Sequence, residues 1–144
     1  IPRAVERIRS RGIHVGANYI FGLPEDDRES MEATLALALE LNTEWANFNC
    51  AMAYPGSSLY ETAVENRWPL PGGWSGYSQY ASNTVPLPTR HLSGADVLRF
   101  RDRAFQVYFT NPAYQEMILR KFGEDTVSHV RGMVRQKIER EMAG

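Results

Sequence analysis

The residues best placed for chemistry lie between Gly16 and Asp27, in the stretch Gly-Ala-Asn-Tyr-Ile-Phe-Gly-Leu-Pro-Glu-Asp-Asp. It reads as a buried strand that breaks at a glycine and turns into an acid-capped helix. In parallel α/β folds ligands gather at the C-terminal edge of the sheet, where Gly22 would let a flat group approach the backbone. Glu25, Asp26 and Asp27 would repel a phosphate from that helix start, which argues against a phosphate-binding turn there. On residue types alone, a well-capped strand-to-helix connection accounts for the stretch.

Other reactive side chains have structural explanations at hand. His14, His91 and His129 stand alone, with no second histidine or carboxylate at metal-ligand spacing. Ser57-Ser58 lacks the glycine-flanked elbow of a hydrolase, and helix capping explains Ser58. Asp26-Asp27 could coordinate a cation, but capping accounts for them better. Arg99, Arg101 and Arg103 read as a solvated helix face with salt bridges, and only weakly as a patch for an anion or an interface. Cys50, the only cysteine, excludes an internal disulfide and reads as a small buried hydrophobe. With 16 Lys and Arg against 17 Asp and Glu, the 144-residue chain lacks the basic excess of a general nucleic-acid or membrane-surface binder. No apolar run approaches the roughly 20 residues needed to cross a bilayer.

The elements that must position these residues are legible in outline. Pro2 to Arg11 is a basic helix closed by Gly12. Ile13 to Phe21 is a strand. A helix opens at Glu25–Glu29, with Asp26 and Glu29 spaced as a capping box, and buries Met31, Leu35, Ala38 and Leu41 before Asn42 closes it. Ala46 to Ala53 is a weaker second strand. Strand, helix and strand together form a βαβ unit with parallel strands. A short helix runs from Ser58 to about Asn66. The stretch from Arg67 to Thr89, rich in proline, glycine and aromatic residues, is an irregular arm. Helices then begin at Ser93 (boxed with Asp96), at Asn111-Pro112 and at Asp125, the last running to about Met142 with Val127, Val130, Val134 and Ile138 on one face. The expected organisation is residues 1–66 as the α/β part, 67–92 as connecting loop and 93–144 as helical extension. Two strands cannot supply a self-sufficient sheet, so the chain reads as a piece of a longer protein. Its exposed strand edge predicts self-association of the isolated piece.

Ile13 to Asp27, Leu41-Asn42 and Tyr54-Pro55-Gly56-Ser57-Ser58-Leu59-Tyr60 resemble the C-terminal half of a radical S-adenosylmethionine (SAM) enzyme barrel. The subgroup is the one with an upstream cobalamin-binding domain, similar to the anaerobic magnesium-protoporphyrin monomethyl ester oxidative cyclase. Leu98 to Pro112 and Lys121-Phe122-Gly123 resemble the tail beyond that barrel. The resemblance implies an α/β fold: the last βαβ units of a partial, TIM-barrel-like (β/α) barrel with a helical tail. It implies an oxidoreductase that cleaves SAM at a [4Fe-4S] cluster to drive radical chemistry on a small organic substrate, with cobalamin as an optional second cofactor. The family's G-x-I-x-G-x-x-E pattern places Ile20 against adenine, Gly22 at the close backbone approach and Glu25 beside them, with Asn18 where the first glycine is usual. The family's three cluster cysteines are absent here, so the chain is not expected to be catalytic alone. The implied partners are the upstream barrel and cobalamin domain of the same protein, with no nucleic acid or membrane, in a cytoplasmic setting. The aromatic arm around Trp74 and Tyr80 would then help enclose a flat hydrophobic substrate. The competing reading is a non-catalytic helical interaction module with a small α/β docking platform.

Overall fold

Alternation of polar and apolar residues makes the two strands one-sided. In Trp45-Ala-Asn-Phe-Asn-Cys, Ala46, Phe48 and Cys50 are buried while Trp45, Asn47 and Asn49 are not. Along Gly16–Phe21 (β1), Tyr19 and Phe21 are buried and Gly16, Asn18 and Ile20 exposed. In the computed structural model, which describes residues 1–141, β1 and Trp45–Cys50 (β2) pair in parallel, from Gly16 opposite Trp45 to Phe21 opposite Cys50. The side-chain period of two then puts all five buried residues on one face.

Helices cover that face. Pro2–Arg9 (α1) precedes β1, and Arg28–Leu41 (α2) links the strands. Ser58–Glu65 (α3) follows β2, and Gly94–Thr110 (α4), Pro112–Phe122 (α5) and Glu124–Arg135 (α6) complete the described chain. Met31, Leu35 and Ala38 of α2 and Val97, Leu98, Phe100, Ala104 and Tyr108 of α4 meet the strand aromatics in a single core, which α5 and α6 extend through Tyr114, Met117, Ile118, Val127 and Val130. Phe48 stacks on Tyr19 and Phe21, with ring centroids 5.3 and 6.0 Å away, and meets Tyr108 edge-on at 5.4 Å. Each such fully buried ring contributes roughly 1.5–3 kcal/mol. The fold is therefore mixed α/β, as expected. A two-stranded sheet does not itself make a barrel, and that finer part of the expectation is not shown.

Glu44, just before β2, knots the two halves of the chain together. Its side chain is only 4% exposed. It accepts hydrogen bonds from the Val15 amide (2.9 Å), from Arg9 Nε and Nη2 (3.2 and 3.3 Å) and from Lys121 Nζ on α5. Burial would push the carboxyl upward, but the Lys121, Val15 and Arg9 donors outweigh it and hold the pKa at about 2. Arg9 also donates to Leu41 O (2.9 Å) and Asn42 O (2.6 Å), closing the end of α2 where Asn42 turns left-handed at φ 42°.

The outer edge of β2 is covered by side chains. Gln79, from the irregular arm, accepts from Cys50 N (2.9 Å) and donates to Cys50 O (3.3 Å), as a neighbouring strand would. Arg101 Nε donates to Phe48 O at 2.7 Å. Gln79→Leu is expected to leave both buried Cys50 backbone groups unpaired, at about 1–3 kcal/mol. Urea denaturation would read the loss, and native-state exchange the faster Cys50 amide; an unchanged exchange rate would show that Gln79 is not what protects this edge. Burial pushes the Cys50 thiol up to about 12, which leaves it unreactive at neutral pH.

Several boundaries differ from the sequence reading. β1 starts at Gly16 rather than Ile13, because the Val15 amide is taken by Glu44. The N-cap of α2 is Asp27, boxed with Ser30; Asp26 instead accepts from Gly22 N and Leu23 N (3.0 and 2.9 Å) and so holds the turn before the helix. Ser57, not Ser58, caps α3. The box of Ser93 with Asp96 and the Asn111-Pro112 start are found as expected. The last helix stops at Arg135, not Met142 (which lies outside the described residues), and its end is set by tertiary contacts. Gln106 Nε2 donates to Val134 O (3.1 Å), and Arg140 folds back, only 4% exposed, onto Asp102, Ala81 O and Gln79 O. Among the described residues, no helix is long and apolar enough to cross a membrane.

Candidate functional site

The face of the sheet turned away from the helices is open and polar. Register sets Asn18 opposite Asn47 and Ile20 opposite Asn49. Asn47 Nδ2 donates to Asn18 Oδ1 (2.9 Å), and Trp45 Nε1 donates to Asn47 Oδ1 (3.2 Å), so an indole and two amides form one chain of hydrogen bonds across both strands. Among the described residues, the Asn18 Nδ2 group and the whole Asn49 amide have no side-chain partner. Ile20, half exposed, is the apolar patch among these amides. Such a surface offers donors, acceptors and one flat apolar contact, the set that a heterocyclic base or another small polar ligand uses.

The four residues singled out from sequence divide into two groups. Asn18 and Ile20 share this face. Gly22 is buried at the end of β1 with φ +80°, and a Cβ added there would lie 2.5 Å from Val97 Cγ1 of α4. The glycine thus answers a left-handed turn and a close helix, and its free side faces α4. Glu25 is exposed on the following loop and pairs with Arg90 at 3.0 Å, while Arg90 N donates to Pro24 O at 2.9 Å. Trp45, Asn47 and Asn49 went unnoticed in the sequence, although their alternation with Ala46, Phe48 and Cys50 is the signal that would have found them.

The aromatic arm splits in two. Trp74, 79% exposed, leans on Tyr77, which stacks on Tyr54 at 5.7 Å. Tyr80 lies apart, over the Arg101 guanidinium at 5.5 Å. The two rings thus rest on different neighbours.

Among known proteins, the chain is similar to an uncharacterized methyltransferase of Pyrococcus horikoshii, 28% identical over 109 residues. The match covers 76% of this chain but only 23% of the relative. No family model and no solved structure matches. The similarity overturns the assignment to a radical SAM oxidoreductase related to the oxidative cyclase, because the relative bears the name of a methyltransferase. The expectations of an iron–sulfur cluster, metal binding and cobalamin fall with it, and nothing found favours the interaction module. Among the described residues, no group of three or more His, Cys, Asp or Glu is placed to hold a metal. The order and spacing of residues that carry the resemblance follow from capping and packing, as at Gly22 and Asp26, as readily as from a shared activity.

Proposed function

We propose that this chain is part of a methyltransferase, and that the open face of β1 and β2 forms one wall of its S-adenosylmethionine pocket. The observation carrying the reading is the similarity to a methyltransferase over 76% of the chain. The open face is consistent with it, because its unpartnered amides suit the hydrogen-bonding edge of adenine and Ile20 suits the ring. Bound there, the cofactor would supply an electrophilic methyl group for transfer to a nucleophilic atom of a small organic acceptor, leaving S-adenosylhomocysteine. The chain's own residues bind and orient. Asn18 and Asn49 present amide donors and acceptors, and the Trp45–Asn47–Asn18 hydrogen bonds fix the amide geometry. Gly22 holds the strand end in place against Val97, and the Glu25–Arg90 pair orders the loop at the rim. The rest of the pocket lies in other parts of the protein.

The test is isothermal titration of the full-length protein with S-adenosylhomocysteine. Ile20→Glu, at an exposed position with little effect on folding, is expected to weaken binding at least about tenfold by placing a carboxylate against the base. Asn49→Ala is expected to weaken it by roughly three- to tenfold. Unchanged affinity in Ile20→Glu, or no binding by the wild type, would remove this face from the cofactor site.

A further inference from the structure

Along the outer edge of β2 lies a cleft of about 430 Å³. That is within the roughly 300–1,000 Å³ of small-molecule sites. Its walls are largely apolar and aromatic, with the rings of Trp45, Tyr80 and Phe105 prominent and Phe48 reaching it at its backbone carbonyl, and Arg101, Asp102 and Lys137 are among its polar residues. Arg101 is nearly buried, its side chain 5% exposed, and lies near the rings of Tyr80 and Phe105, 5.5 and 5.6 Å from their centroids. Nε is used on Phe48 O and Nη1 on Asp102 Oδ1, at 2.7 and 2.9 Å. Nη2 has no acceptor among the described residues.

The charge balance around Arg101 is uneven. Arg140, 4% exposed, binds the same Asp102 carboxylate through Nε and Nη2, both at 2.9 Å. Two buried guanidiniums thus share one carboxylate, and Lys137 adds a further positive charge to the cleft lining. The neighbouring Arg103 is already paired with Glu32. A buried excess of positive charge is unfavourable unless a counter-charge meets it. The aromatic walls favour a planar ligand, and the free guanidinium nitrogen favours an anionic oxygen on it.

We propose that this cleft binds a planar aromatic carboxylate, its ring between the aromatic walls and its carboxylate on Arg101 Nη2 and Lys137. The proposal does not rest on the methyltransferase reading, since it uses another edge of the sheet and different residues apart from Trp45 and Asn47, which border both sites.

The probe is 2-naphthoate, with neutral 2-naphthamide as its isostere, titrated into the isotopically labelled full-length protein and followed by amide and indole shifts in nuclear magnetic resonance. Naphthoate is expected to shift the Trp45 indole and the amides around Arg101 and Gln106, and to bind about tenfold more tightly than naphthamide. Arg101→Gln disturbs a buried network and is liable to unfold the chain, so the exposed Lys137→Glu serves as the second variant. It should weaken naphthoate about three- to tenfold and leave naphthamide unchanged. Equal affinity for the two probes, shifts confined to other surfaces, no saturable shift, or Lys137→Glu binding naphthoate like the wild type would each overturn the proposal.

Discussion

Glu44→Gln is expected to destabilise the chain by about 3 kcal/mol at neutral pH, the scale on which removing one partner of a buried ion pair acts. The amide can still accept from Val15 N, but Arg9 and Lys121 lose their shared counter-charge, and these three contacts tie α1, the start of β1 and α5 to the mouth of β2. The pH dependence separates this account from a simple packing defect. The folded-state pKa of Glu44 is about 2 against an ordinary 4.5, so the carboxylate's contribution is fully present above 4.5. It is lost as pH falls from about 4.5 through about 2. Urea denaturation of wild type and variant should therefore differ by about 3 kcal/mol at pH 7 and converge towards pH 2. A constant difference across that range would show that the charge is not what stabilises the knot.

The second large effect is expected at Gly22. Gly22→Ala places a methyl group 2.5 Å from Val97 Cγ1 at a backbone φ of +80°. The left-handed conformation costs about 1–2 kcal/mol for a residue with a Cβ, and overpacking against α4 adds about 1–3 kcal/mol, for a total of roughly 3. A double-mutant cycle with Val97→Ala divides these terms. With the valine methyls gone, Gly22→Ala should destabilise by only about 1–2 kcal/mol, a coupling of about 1–2 kcal/mol. Additive effects would mean that the glycine is required for its backbone conformation alone. The same cycle bears on how glycine motifs are read, because a glycine at a strand end invites a ligand interpretation while its missing side chain serves a neighbouring helix.

The distinction runs through the whole chain. α2 and the capping of α4 and α5 were legible because their signals are local: a 3.6-residue apolar stripe, Ser93 three residues before Asp96, and Asn111 before Pro112. The parallel pairing was legible because strand, helix and strand follow within one short stretch. The alternation in β2 was present too, and with it the polar face of Asn47 and Asn49, but a strand broken by asparagines gives a weak signal beside the β-branched and aromatic run of β1. The family assignment failed for another reason. It matched residue types in order, and order alone did not separate residues that bind from residues that cap or pack.

What the sequence determined by itself is therefore where regular structure begins and which face of each element is apolar, since both depend on neighbours a few residues away. Only the tertiary structure decided that Gln79 and Arg101 would cover the edge of β2. It also decided that Glu44 would collect cations from residues 9 and 121, and that the last helix would stop at Arg135 so that Arg140 could reach Asp102. These contacts join residues about 30 to 77 positions apart. Their strength comes from burial that exists only once the core has closed, and no local pattern of residue types encodes it.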